Sequence, residues 1–233
     1  PASHPFISIS PPAAAIQHAD MPNTFTYFKC RGVSELFRMV AAVGKFEYVE
    51  DSYPFTIEMK DGAPDFSTFK REEFLKDQAD GKFKASMGKM PFLTLDGGAV
   101  ICQSKAIERY AAKNTGLMGV DDVEAAQIEA MNECVRDIKE AWSKNKDEEV
   151  LKTNIEKLEA ALPGTTAGCA VGSKMSYADI VLYHTLAAPK GFLPDDKGAK
   201  AMEACPKLKA ICDVVAANAE LTAYLAGRPD TVL

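Results

Sequence analysis

At 233 residues, 47% apolar and 26% charged, the chain is long enough to bury the core of one large domain or two modest ones. A net charge of −6 with no basic stripe argues against binding a phosphate backbone, and no apolar run approaches the roughly 20 residues needed to cross a bilayer. The six cysteines (Cys30, Cys102, Cys134, Cys169, Cys205, Cys212) stand singly and the three histidines are isolated. This is the usage of a reduced, cytoplasmic compartment, and it offers neither zinc spacing nor a histidine-based site, so no metal is expected.

Residues 1–21, rich in Pro, Ala, Ser and His, have no periodic apolar face and read as a disordered leader outside the fold, with a transit peptide as the alternative. Thr24 to Phe28 (TFTYF) is a short strand. Val33 to Val43 is helical, with Leu36, Phe37, Val40 and Val43 three and four apart and Gly44 as a stop. Phe46 to Val49 alternates as a second strand. Between Asp51 and Met87 the chain is charged, interrupted by Pro54 and Pro64, and offers one helix near Phe66 to Lys76.

The stretch Gly88 to Tyr110 is the most informative. Phe92 to Leu95 is β-prone, Asp96-Gly97-Gly98 is a hairpin turn, and Val100-Ile101 starts the return strand. Ser104 is placed to cap a helix that carries Ile107 and Tyr110 on one face. A strand, helix and strand followed by a hairpin and helix is the arrangement of an α/β thioredoxin-like domain, expected over 22–115.

From residue 121 to 233 the pattern is all-helical. Val123 to Trp142 and Val150 to Leu162 are amphipathic, the second ending at Pro163-Gly164. Ser176-Tyr177-Ala178-Asp179 is a capping box opening an apolar helix, with Met175 and Ile180 as its staple. Pro206 to Val215 and Ala219 to Ala226 complete the series.

Two local features have chemical content. Pro91 follows a Gly88-Lys89-Met90 loop, and a cis bond there would turn the backbone of Met90 outward to pair with an extended peptide. Gln103-Ser104 stands at a helix N-terminus, where unpaired N–H groups favour a carboxylate. Together they describe a site for a short acidic peptide.

With these motifs in order, residues 21–233 resemble the cytosolic glutathione transferases. Met21-Pro22-Asn23, Thr26-Tyr27-Phe28, Arg31-Gly32, Gly88-Lys89, Lys113-Asn114-Thr115 and Arg228-Pro229-Asp230-Thr231 resemble the sigma class, the group that includes haematopoietic prostaglandin D synthase. The resemblance implies a thioredoxin-like glutathione-binding domain, an all-helical domain lining the second-substrate pocket, and a homodimer. Glutathione would be the co-substrate and a small electrophile the second substrate.

It also implies that Tyr27 is catalytic, donating its O–H to the glutathione sulfur and so favouring the nucleophilic thiolate. Gly88, Lys89 and Met90 would hold the cysteinyl backbone, Gln103 and Ser104 the γ-glutamyl carboxylate, and Asp137 the γ-glutamyl amine across the dimer. Lys82 falls where the family has a lysine for the glycyl carboxylate, a solvated surface lysine being the alternative. Gln78 stands where the family has tryptophan, and Val33 where many sigma-class members have arginine. Two other activities fit the same motifs: an isomerase of the prostaglandin D synthase type, and a non-catalytic, crystallin-like ligand-binding protein.

Overall fold

The computed structural model describes residues 22–162 and 168–231; the leader and the Pro163-Gly164 stop lie outside the described residues. Strand β1 (Thr24–Phe28) leads through a single 3-10 turn (Gly32–Ser34) into α1 (Glu35–Gly44). Strand β2 (Val49–Tyr53) pairs parallel with β1 from Thr24↔Val49 to Phe28↔Tyr53. The second strand thus begins where the sequence suggested it would end. Phe46 and Tyr48 pack on Phe37 from the connecting loop, which occupies the expected strand positions with core contacts instead.

The region after β2 differs most from expectation. The one helix expected, near 66–76, starts later as α2 (Glu72–Ala79), and a two-stranded antiparallel hairpin, β3 (Thr56–Lys60) and β4 (Ala63–Lys70), precedes it. Asp61 and Gly62 both have positive φ, 52° and 79°, the requirement of a tight hairpin turn whose twist matches its strands. Pro64 is tolerated because both strands of the hairpin are edges.

Strands β5 (Phe92–Thr94) and β6 (Val100–Cys102) complete a four-stranded sheet of order β2-β1-β5-β6, antiparallel from β1 onward. Helix α3 (Ser104–Asn114) follows directly and packs with α1 on the sheet, burying Phe25, Phe37, Leu93, Ile107 and Ala111.

The remaining elements are helical. They are α4 (Asp122–Asn145), α5 (Glu148–Ala161), α6 (Tyr177–Leu186), α7 (Asp195–Ala201), α8 (Pro206–Ala216) and α9 (Ala219–Gly227). Asp121 and Asp147 cap α4 and α5 through backbone N–H groups two and three residues on. The capping box of α6 forms, with Asp179 accepting from the Ser176 N–H (2.6 Å) and hydroxyl (2.9 Å) and from the Ala170 N–H (2.6 Å). All ten residues of α6 are buried, so this helix is the axis of the second half. At about 1.5 to 3 kcal/mol for each fully buried Ile or Leu, its burial is a main source of that half's stability.

The two halves share one core. Glu35 on α1 is buried and accepts from Tyr224 on α9 (2.8 Å) and from Arg228, while Tyr177 on α6 donates to buried Glu108 on α3 (2.5 Å). No helix among the described residues is long and apolar enough to cross a membrane.

Candidate active site

A cavity of about 1020 Å³ opens between the halves, bounded by the end of β1 and the start of α1, the N-terminal turn of α3, the middle of α4, and α6 with the loop after it. Tyr27 sits at its edge, where β1 ends. Burial raises the pKa of its phenol, and nearby Cys30 adds to this; the Val33 backbone N–H and Arg38 act in the opposite direction. The net effect keeps the hydroxyl protonated at neutral pH, so it can donate a hydrogen bond.

Cys30 also lines the cavity, but burial pushes its thiol up to about 11, so it is not a nucleophile at neutral pH. Arg31 is committed to the C-terminal segment, bonding the Thr231 carbonyl (2.8 Å) and Asp230 (3.4 Å).

Ser104 lines the same cavity as Tyr27. It is the first residue of α3 rather than its cap. Gln103 takes the cap position with φ 74° and ψ 124°, an uncommon conformation for a residue with a Cβ, and makes no side-chain cap bond. The Met90-Pro91 bond is cis. Gly88, Lys89, Met90 and Gln103 lie outside the cavity lining.

Lys82 is placed elsewhere. Its ammonium bonds Tyr53 (2.6 Å) and Asp77 (3.0 Å) beside a separate 390 Å³ depression, and these bonds lift its pKa to about 12. Asp137 is exposed on α4 and does not line the cavity. Gln78, at the position where the family has tryptophan, donates its amide to the Gly88 carbonyl (2.6 Å) and so ties α2 to the loop before Pro91.

The resemblance implies a second-substrate pocket using Lys29 to Ser34 and Arg136 to Lys146, and Gly32 and Lys139 from those segments do line the cavity; three features of the lining were not foreseen. A Cβ at Gly32 would meet the Tyr27 hydroxyl at 2.7 Å, so any side chain there requires the phenol to shift. Phe66 and Phe69, from the hairpin, form an aromatic wall; the signal that would have found it is the Asp61-Gly62 turn. Lys105, Glu108, Lys139 and His184 form a polar floor that no local pattern announces, because it is assembled from three helices. Among the described residues, no group of three or more His, Cys, Asp or Glu side chains is arranged to hold a metal.

A thioredoxin-like half joined to an all-helical half, with a strand-end tyrosine and a helix N-terminus meeting in the cleft between them, is the architecture of the glutathione transferases. Comparison with known proteins agrees. The family model described as glutathione S-transferase, C-terminal domain, matches residues 129–228. The chain is 27% identical to glutathione S-transferase P 1 of Xenopus laevis over 86% of its length and 90% of that protein's. It is 26% identical to glutathione S-transferase Mu 1 of Bos taurus, over 88% and 91%. Its fold matches a Nu-class GST from Haemonchus contortus with a TM-score of 0.69, at 21% identity, over 91% of this chain and 98% of that one.

Along most of its length the chain is similar to glutathione transferases, and residues 129–228 match the C-terminal domain model of that family. The sigma class suggested by its short motifs is not the class of these relatives, which are named P, Mu and Nu. Runs of a few residues, shared by one fold, do not separate its classes.

Proposed function

We propose that this chain is a glutathione transferase in which Tyr27 stabilises the glutathione thiolate for attack on a small electrophile held in the cavity between the halves. The observation that carries this is the protonated Tyr27 hydroxyl at the edge of a cavity that also exposes Ser104 at the N-terminus of α3. In this reading the γ-glutamyl carboxylate meets Ser104 and the backbone N–H groups of that turn, with Gln103 beside them. The Met90 backbone, beside the cis peptide, pairs with the cysteinyl residue, and the sulfur then lies toward Tyr27. The phenol donates to sulfur, which favours the ionised form of the thiol.

Gly88 and Lys89 support the Met90 loop. Lys82, which the resemblance assigns to the glycyl carboxylate, is paired with Asp77 outside the cavity lining, so the glycyl end would have to extend toward it for that contact to form. The domains divide at 22–115 and 121–233, and the enzyme works as a cytoplasmic homodimer with Asp137 reaching the partner's glutathione. An isomerase of the prostaglandin D synthase type, which would use the same site residues, is the second reading.

Replacing Tyr27 with Phe tests the chemistry apart from binding. Bound glutathione should titrate nearer the free thiol value of about 8.5, read as thiolate absorbance in the ultraviolet, while turnover at neutral pH falls roughly ten- to a hundredfold. Titration and turnover matching the parent would mean that another group activates the thiol.

A further inference from the structure

The floor of the cavity carries more positive charge than its own carboxylates balance. Lys105 on α3 lies 4.0 Å from buried Glu108, whose other strong partner is the Tyr177 hydroxyl. Lys139 on α4 faces the same carboxylate, but among the described residues its ammonium makes neither a hydrogen bond nor an ion pair. It stands over the Phe192 ring, 4.4 Å from the centroid. His184 on α6 is buried beside it, and its Nδ1 has no hydrogen-bond partner among the described residues.

The neighbouring Arg136 is paired with Glu133 and Glu140, and Lys190 with Asp230; of the lining lysines without a close ion pair, Lys144 is exposed and Lys139 is the one half-buried in the floor. Two ammonium groups thus line a floor with one buried carboxylate, which only Lys105 approaches to 4.0 Å, and an orphaned imidazole nitrogen. A half-buried cation without a partner has lost part of its hydration uncompensated, and an anion with hydrogen-bond acceptors would offset that loss.

We propose that this floor is an anion subsite for the second substrate, so that the enzyme selects electrophiles bearing a carboxylate or comparable anionic group directed toward Lys105, Lys139 and His184. The inference rests on the proposed transferase reading. It places the sulfur at the Tyr27 edge and the anionic end of the electrophile among α3, α4 and α6, away from the Met90 loop and Gln103.

The titration behaviour of the floor supports the geometry. Burial first, then Lys105, lowers the pKa of Lys139 to about 8, with Glu108 opposing them. Burial raises that of Glu108, which weakens the buried counter-charge of the floor. Burial, with the nearby cations, pushes His184 down to about 3, so the imidazole is neutral. The groups facing Lys139 are thus Lys105 and Glu108 from α3, His184 from α6, and Arg136 and Glu140 from its own helix.

The reaction expected of such a substrate is aromatic substitution. With 4-chloro-3,5-dinitrobenzoate, the thiolate forms a C–S bond at the chlorinated carbon and chloride leaves with the C–Cl electron pair. The thiol proton has already gone to solvent.

Binding can be tested without turnover. Calorimetry at saturating S-methylglutathione would compare 3,5-dinitrobenzoate with its neutral isostere 3,5-dinitrobenzamide. The benzoate should bind at least about tenfold more tightly, as expected of hydrogen bonds to a charged group. That preference should fall about tenfold between roughly pH 7 and pH 9.5, as Lys139 loses its proton. Lys139→Gln should abolish the preference, whereas Lys139→Arg should retain it and flatten its pH dependence.

Equal affinity for benzoate and benzamide would overturn the subsite. So would displacement of the benzoate by S-methylglutathione, since the cations would then serve the tripeptide. If Lys139→Gln does not fold, the pH arm and Lys139→Arg still decide. Turnover of neutral 1-chloro-2,4-dinitrobenzene separates the two claims: activity without benzoate preference keeps the transferase and removes the subsite, and preference without activity does the reverse.

Discussion

The hydroxyl of Tyr27 lies against the backbone of Gly32, so close that a Cβ added at residue 32 would sit 2.7 Å from the oxygen. Gly32 also has φ +45°, a conformation that costs residues with a Cβ about 1 to 2 kcal/mol. Backbone permissiveness and empty space at one residue therefore set where the phenol points.

Gly32→Ala should displace the Tyr27 hydroxyl while leaving the sheet intact. The expected loss in kcat/KM is about tenfold or more, with far-ultraviolet circular dichroism unchanged, since a shift of about an ångström in a catalytic group can cost a hundredfold. Parental kcat/KM in the alanine variant would show that the hydroxyl has room to relax.

Ser104→Ala should weaken glutathione binding about tenfold or more by calorimetry, the usual loss when a hydrogen bond to a charged group is removed. The structure makes this a cleaner test than the sequence suggested. Gln103 holds the cap position, so the serine hydroxyl is not needed to cap α3. Unchanged affinity would put the carboxylate elsewhere.

His184 should make the fold acid-sensitive. Its folded pKa is depressed to about 3 by burial and nearby cations, below the ordinary value of 6.5, so its stabilising contribution is present above 6.5 and lost as pH falls toward 3. Between these limits the unfolded chain binds one more proton, and the slope of about 1.4 kcal/mol per pH unit gives a loss of roughly 2 kcal/mol from pH 6.5 to 5. Urea denaturation at those two pH values should show a smaller difference for His184→Asn than for the parent; an identical difference would assign the acid sensitivity to other groups.

Helix α4 leaves Val123 66% exposed at its start and Val120 just before it 73% exposed, consistent with a surface that a second copy covers. Sedimentation at micromolar concentration should give a dimer. A monomer would also remove the cross-subunit role proposed for Asp137.

Local pattern was enough for much of this protein. The TFTYF strand, the hairpin and helix from Phe92 to Asn114, the capping box at Ser176 and Asp179, and the long amphipathic α4 are each written within a few consecutive residues. Their turn, cap and periodicity signals act over that same range. The pairing of a strand-end tyrosine with a Gln-Ser helix start could be read from the order of the motifs, because a thioredoxin-like topology brings those segments to one edge of the sheet.

Tertiary contacts decided the rest. Phe46 and Tyr48 leave the strand pattern because the Phe37 ring gives them a core to fill, and β2 shifts downstream to Val49–Tyr53. Lys82 is drawn to Asp77 and Tyr53, partners a count along the chain cannot reveal. The floor of Lys105, Glu108, Lys139 and His184 comes from three helices far apart in sequence, each residue unremarkable on its own helix. Charge balance in a cavity is a sum over neighbours in space, and only the packed structure determines which neighbours those are.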